Sequence, residues 1–409
     1  MPGKYKENRM QQRALLIIFL VVFMTIPVFA ERSVPMTPLA MPTAASSGFG
    51  GTHVAYTDNV FALLVNPAAM MRVQQRSFFS LSASLFNPES VFEMGNSVMD
   101  MASSGNTTEF GIIADTLNRH DGKIVLGFEL REFPFSFAWV ANGFGFGLWN
   151  RSFVKAEIIG DSIRATVYSD IMLPVGFAFR VLDLDRHSID AGFTLKPFVR
   201  VMTQDRVSIV DLIDDDVDLD LTVPVILGGG LDVGLLYRWA GGFQAGLTFT
   251  DVLSRGTVVA NLSNAEDTNS YYIPFAINAG ISHSFRPVSF LGLTFAADWR
   301  DIGNFFNQDD YLTSRNYLLD FGVGMQVSLF NTVYLRIGMS EMLPAAGLGI
   351  HLGALKIDVA YYGREFGYEP GQFSTAVLDL SISIRPGARE RNWGWTRRSA
   401  FGLFGIGNS

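Results

Sequence analysis

Residues 319–340 read LDFGVGMQVSLFNTVYLRIGMS. In the first half Phe321, Val323, Met325, Val327 and Leu329 alternate with Asp320, Gly322, Gly324, Gln326 and Ser328. In the second half Val333, Leu335, Ile337 and Met339 alternate with Tyr334, Arg336, Gly338 and Ser340. Successive side chains of a strand point to opposite faces. Each half is therefore a strand with one apolar face and one small or polar face, and the short link at Phe330 makes them neighbours.

The same alternation recurs on either side. Phe79, Leu81, Ala83 and Leu85 alternate with serines in 78–86, and Leu378, Leu380, Ile382 and Ile384 alternate with Asp379, Ser381, Ser383 and Arg385. Extended along the chain, it predicts about fourteen strands, near 77–86, 133–141, 143–158, 162–180, 187–205, 222–239, 241–251, 272–285, 289–301, 316–329, 331–341, 345–354, 355–364 and 373–385. An even count is what single-chain bacterial outer-membrane barrels use. Asp232, Arg238, Asp298, Arg300, Asp320, Arg336 and Asp358 all fall on the polar face, which suggests a lumen with ion pairs. The rival architecture is a large soluble β-sandwich or solenoid.

Connection lengths favour the barrel, because such barrels have short periplasmic turns and longer external loops. One set of links is short: Asn142-Gly143, Leu182–Arg186, Ala240, Arg286–Val288, Phe330 and Ala354/Leu355. The alternate set is mostly long: 87–132, Gly160, 206–221, 252–271, 302–315, 342–344 and 365–372. Two segments resist. Within 87–132, Val91–Met101 has weak helical spacing, and Ile124–Leu130 reads as a strand that would change the count if it crossed. The tail 386–409 is basic, then aromatic and glycine-rich.

Residues 1–30 have the form of a secretory signal: Lys4, Lys6, Arg9 and Arg13, then the apolar Ala14–Phe29, then Val28 and Ala30 at the −3 and −1 positions. An uncleaved anchor helix is the alternative, but the apolar run falls short of the roughly 20 residues a spanning helix prefers. Hydrophobic residues make up 48% of the chain and charged ones 17%, below the roughly 25% of soluble domains. A barrel places that apolar surface against lipid while its backbone bonds close on themselves. With no cysteine, disulfides, thiol nucleophiles and thiolate metal sites are excluded. A net charge of −8 argues against nucleic acid as partner.

Between signal and strands lies Gly48–Val73, GFGGTHVAYTDNVFALLVNPAAMMRV. Asp58 suits a helix N-cap, with Phe61, Leu64 and Val65 on one face of the helix. Pro67 stops that helix and biases Asn66 towards extended geometry. A glycine-rich run (Gly48, Gly50, Gly51), then Asp58, then Asn66-Pro67-Ala68 resembles the N-terminal hatch of the long-chain fatty-acid outer-membrane transporter family (FadL-type). The pattern departs where Asn59 replaces a second acidic residue, where Ala69-Met70 replaces Gly-Leu, and where Arg385-Pro386 ends the last strand without an aromatic residue.

The expected fold is all-β: a transmembrane antiparallel β-barrel of about fourteen strands with an N-terminal hatch. Its divisions are signal peptide 1–30, hatch 31–76, barrel 77–385 and periplasmic tail 386–409. The resemblance implies an outer-membrane location, assembly by the barrel assembly machinery, contact with outer-membrane lipid, and passive uptake of hydrophobic or amphipathic small molecules, long-chain fatty acids being the type. It implies mobility at Gly48, Gly50 and Gly51, a wall seat at Asn66, Pro67 and Ala68, and ligand contact at Phe61, Leu64 and Val65. No enzyme activity, cofactor or metal is expected. The alternative functions are a docking or shuttle barrel of a secretion system, to which the tail would point, and a closed surface scaffold.

Other features carry less. Asp211, Asp214, Asp215, Asp216, Asp218 and Asp220 lack the position-6 glycine and closing glutamate of an EF-hand and read as a solvated loop. The five histidines show no metal-ligand spacing. No Gly-x-Ser-x-Gly elbow is present. Gly143–Gly147 and Gly228–Gly230 precede strands and read as close packing or a barrel kink.

Overall fold

The structure, a computed structural model, describes residues 33–385 apart from 40, 74, 78, 94–95, 97–121, 134–135, 161, 209–221, 264–268 and 307–314. The expected signal peptide, the acidic cluster 211–220 and the tail 386–409 lie outside the described residues.

Fourteen antiparallel strands form one sheet that closes on itself. They are β1 (Gln75–Ser77 and Phe79–Phe86), β2 (Lys123–Arg131 and Phe137–Ala141), β3 (Phe144–Ile159), β4 (Ser162–Met172 and Val175–Leu184), β5 (His187–Ser208), β6 (Pro224–Trp239) and β7 (Phe243–Asn261). Then follow β8 (Ser270–Tyr272 and Ala276–Val288), β9 (Leu291–Trp299), β10 (Phe321–Leu329), β11 (Val333–Ser340), β12 (Leu343–Leu352), β13 (Leu355–Glu365) and β14 (Ser374–Ile384). Closure pairs Val377 with Phe86 and Ile384 with Phe79. A closed ladder satisfies the backbone within the sheet, as a lipid environment requires.

The expected count holds, but the second strand is corrected. Ile124–Leu130 is not an extra crossing. It is the outer half of β2, paired with both β1 and β3, while Phe137–Ala141 is the inner half. The two halves end and begin at Arg131 and Phe137, and the sequence between them includes Pro134, which has no N–H to give a ladder. The expected strand 162–180 is likewise divided at Leu173-Pro174, where the Pro174 carbonyl accepts Gly147 N–H at 3.0 Å. β7 runs ten residues past its expected end at 251. It does so through Asp251 and Leu253 at φ 56° and 62°, facing a bulge beside the Gly228–Gly230 run of β6. Residues 88–93 are helical; the rest of the helical spacing expected up to Met101 lies largely outside the described residues.

The apolar rows face outward, with Val323, Leu335, Ile337, Leu348 and Leu380 exposed and Gln326, Arg336, Asp358 and Asp379 buried. Nine residues in β9 and in β10, tilted, span roughly 23 Å, the height of a barrel's apolar band. Stacked aromatic pairs mark its two rims: Trp299 with Phe321 at 5.0 Å, and Phe290 with Phe330 at 5.4 Å.

The two halves of the wall differ in height. β9–β14 are 8 to 11 residues long. On the other side β3 has 16, β5 22 and β7 19. A short strand, Ser33–Pro35, extends the tall side by pairing in parallel with Ser270–Tyr272.

Candidate functional site: the hatch and the lumen it closes

Residues 36–73 cross the lumen and are largely buried. The chain enters from the long-loop end, held at Met36 by a 2.8 Å bond to the Tyr272 carbonyl. Three wall arginines then take its carbonyls: Arg200 bonds Thr37 O at 2.7 Å, Arg151 bonds Pro38 O at 3.2 Å, and Arg131 bonds Pro42 O. Each arginine is balanced by a cross-strand acid. Arg200 grips Asp170 with two bonds (2.5 and 2.8 Å), Arg131 pairs with Asp379 at 2.6 Å, and Arg151 pairs with Glu129. Such charge-assisted forks hold planar groups firmly. Prolines at 38 and 42 leave carbonyls for them without competing donors.

Helix α1 (Ala44–Gly48) follows, with Thr43 and Ser46 forming a reciprocal capping box. At its end Gly48, Gly50 and Gly51 lie against β10–β12. A Cβ on Gly48 would stand 2.7 Å from Gly347 Cα, and one on Gly338 would stand 2.7 Å from Gly50 Cα. A Cβ on Gly324 would meet the Phe49 carbonyl and its ring. Gly50 and Gly51 have φ of +71° and +72°, a conformation glycine adopts without strain. His53 and Val54 N–H both donate to Asp298 Oδ2, at 2.6 and 2.9 Å. His53 lines the cavity beneath the hatch, yet its depth in the barrel, with help from Arg300, pushes its imidazole down to about 4. Burial, reinforced by Asp58, pushes the Tyr56 phenol up to about 12, and its oxygen accepts from Gln326 at 3.1 Å.

Asp58 is not a helix cap, and this expectation is corrected. It is exposed in the lumen, and α2 begins later, at Ala62–Val65, with no side-chain cap on Phe61. The local acceptor is Asn59, whose Oδ1 takes Phe61 N–H at 2.9 Å. Pro67 does more than stop α2: it is the first residue of a 3₁₀ turn, Pro67–Met71, capped by Asn66. Asn66 is fully buried. Its amide donates to the carbonyls of Val54 (2.9 Å) and Leu235 (3.3 Å), while Oδ1 accepts Ala68 N–H at 3.2 Å. Pro67 and Ala68 sit over Gly192 of β5 and Gly234 of β6, where a Cβ would come within 2.6 to 2.9 Å of Pro67.

Beyond this point contact is through side chains. Phe61, Leu63, Leu64 and Met70 pack with Trp149, Met172, Phe198, Ile226 and Leu236 of β3–β6 in one apolar cluster that reaches Met36, Tyr271 and Ile273 at the external end. Of the three expected ligand contacts, Phe61 and Val65 line a cavity of about 560 Å³, whereas Leu64 is packed in the cluster. The cavity lies under the hatch at the short-turn end, bordered by Arg286, Asn331, His351, Lys356 and Arg385.

Of the charges expected to pair across the lumen, Arg336 meets Asp358 at 2.7 Å, and Asp232 instead meets Lys196 at 2.8 Å. Asp298 serves the hatch backbone. Among the described residues no three His, Asp or Glu side chains converge as a metal site.

No family model matches the chain, and no curated protein matches it. Solved structures of similar form include the P. putida toluene transporter TodX (10% identity, 84% of this chain and 98% of that one, TM-score 0.46). They also include the CymD monoaromatic hydrocarbon channel (10%, 84% and 97%, 0.45) and a Pseudomonas aeruginosa FadL homologue (11%, 87% and 99%, 0.42). At these identities the likeness is one of overall form.

Proposed function

We propose that this chain is an outer-membrane channel for passive entry of hydrophobic or amphipathic small molecules, long-chain fatty acids among them. One observation carries the reading. Within a lumen otherwise lined by serines and ion pairs, an apolar seam runs from Met36, Tyr271 and Ile273 at the external end, past Phe198, Met172 and Trp149, to Phe61 above the lower cavity. A channel for ions or sugars has no use for such a seam. A solute that partitions into apolar surface gains roughly 25 cal/mol for each Å² removed from water. The seam is filled by the hatch, so passage requires Phe61, Leu63 and Met70 to swing aside. Capture at the outer mouth and release past the shifted hatch involve no covalent step.

The test is a liposome assay with refolded mature protein, following a labelled long-chain fatty acid beside a small sugar. Entry of the fatty acid with exclusion of the sugar supports the reading. Exclusion of both by a correctly folded barrel defeats it.

A further inference from the structure

On the tall side the outer face of the wall is apolar over a greater height than a bilayer covers. Along β4, Val167, Ile171, Leu173, Val175, Phe177 and Phe179 point outward, each between 37% and 52% exposed. The alternation runs unbroken through Pro174, with Met172 and Gly176 buried between them. Above, the row continues through Ala165 to Ile163, with Ser169 as its polar member. Below, it ends at Leu182, which is 40% exposed and pairs with Ile189. A tilted strand gains roughly 2.5 Å of height per residue, so the row from Ile163 to Leu182 rises roughly 45 Å. A barrel's apolar band is only about 25 Å tall. Roughly 20 Å of apolar wall therefore stands above the lipid. Its neighbours at that level have the same character. Val154 of β3 pairs with Val167 and with Phe128 of β2, while Val199 of β5 pairs with Ile171 and with Leu227 of β6. On the opposite side the wall stops at the Trp299–Phe321 rim, so only one side carries this face.

We infer that this projecting face is the contact between two copies of the chain, related by a two-fold axis along the membrane normal. Five strands, β2–β6, at about 4.8 Å spacing make a face roughly 24 Å wide, or roughly 500 Å² above the lipid. That exceeds the few hundred Å² that a monomer leaves uncovered. With Leu173, Val175 and Phe177 directly below, it reaches the roughly 800 Å² per partner of a stable interface. The membrane selects the occupant. It holds every copy at one height and in one orientation, so the projecting face of one copy is level with the same face of the next. A two-fold contact needs such a self-matching patch. Val167 and Ile171, on the middle strand, form its centre. The inference goes beyond the channel reading and holds whether or not a solute passes.

The test counts copies of the full-length mature protein by mass photometry, in zwitterionic-lipid nanodiscs wide enough for two barrels and assembled with protein limiting. Discs that hold protein are expected to hold mostly pairs. V167N/I171N is expected to lower the paired fraction at least fivefold, with folding checked by the heat-modifiable gel mobility of a barrel. Single copies of the unaltered protein overturn the inference without any variant. Pairs that survive in the folded double variant place the contact elsewhere and also overturn it. V167C, in a chain with no other cysteine, keeps the test open where V167N/I171N does not fold. A short bis-maleimide should close it to a covalent dimer, and failure to cross-link within paired discs counts against this face.

Discussion

On the β9–β14 side the hatch meets the wall backbone to backbone along Gly48–Gly50, whereas on the β3–β6 side backbone contact is confined to Asn66–Ala68 over Gly192 and Gly234, and the rest is made by side chains. Gly48, Phe49 and Gly50 lie on Gly347, Gly324, Gly322 and Gly338, with carbonyls and Cα atoms in the space a Cβ would need. Opposite them, Gly145 and Gly176 are approached by the flexible ends of Leu63 and Met70. Backbone contacts of the first kind cannot yield by rotamer change, but a methionine can. We propose that the hatch is seated along Gly48–Gly50, the reverse of the mobility expected there, and parts where Leu63 and Met70 meet β3–β5.

The strongest way to break this contrast is Gly324→Val, which places a branched side chain where Phe49 O and its ring lie. The hatch should leave its seat, and single-channel conductance in planar bilayers should rise at least tenfold. A silent channel would mean that the short side is not a seat. Next is Asn66→Ala, which strands the buried carbonyls of Val54 and Leu235. A cost of about 3 kcal/mol follows, read as earlier urea unfolding of the barrel in micelles. An unshifted midpoint would show that Asn66 bears no load.

His53 supplies a pH effect. Its folded pKa of about 4 lies below the 6.5 of an ordinary histidine, so the unfolded chain binds more protons between those values. Stability should fall as pH drops through 6.5 towards 4, by about 2 kcal/mol between pH 7.5 and 5. His53→Gln should remove that slope, and a slope unchanged in the variant would assign it elsewhere. The smallest effect on conductance is expected on the yielding side. Gly176→Ala brings a Cβ to 2.6 Å from Met70 Cε, 2.7 Å from Thr194 Oγ1 and 2.9 Å from Leu63 Cδ2, which Met70, Leu63 and the Thr194 rotamer must all accommodate at a cost of about 2 kcal/mol, with conductance unchanged.

Much of the wall was legible because a period of two is a local property. β10, β11 and β14 follow from alternation alone, and the short/long rhythm of links orients them. The break in β2 was hidden because Phe133, Phe137 and Trp139 read as one alternating row, whereas the inward face changes from Glu129 and Arg131 before the break to Ala138 and Val140 after it. The cap at Asp58 was misread because Asn59, one residue on, makes the tighter local turn. The arginine anchors Arg131, Arg151 and Arg200 were missed altogether. Alternation says that they point inward, but their carbonyl partners lie 89, 113 and 163 residues away, and no local pattern encodes that. Cross-strand acids at Asp379, Glu129 and Asp170 were the available signal. Alternation marks the glycines of the inner face as a class, and only the path of the hatch shows which of them it touches.

The most direct test uses the absence of cysteine to tether the hatch on one side at a time. Arg72 and Ser188 meet at 2.8 Å on the tall side, and Tyr56 and Gln326 meet at 3.1 Å on the short side. R72C/S188C and Y56C/Q326C, each closed by a short bis-maleimide, would be compared for fatty-acid entry into liposomes. The tall-side tether should abolish entry, and the short-side tether should leave at least half. Equal loss from both tethers, or none from either, would contradict a hatch that is seated on one side and opens on the other.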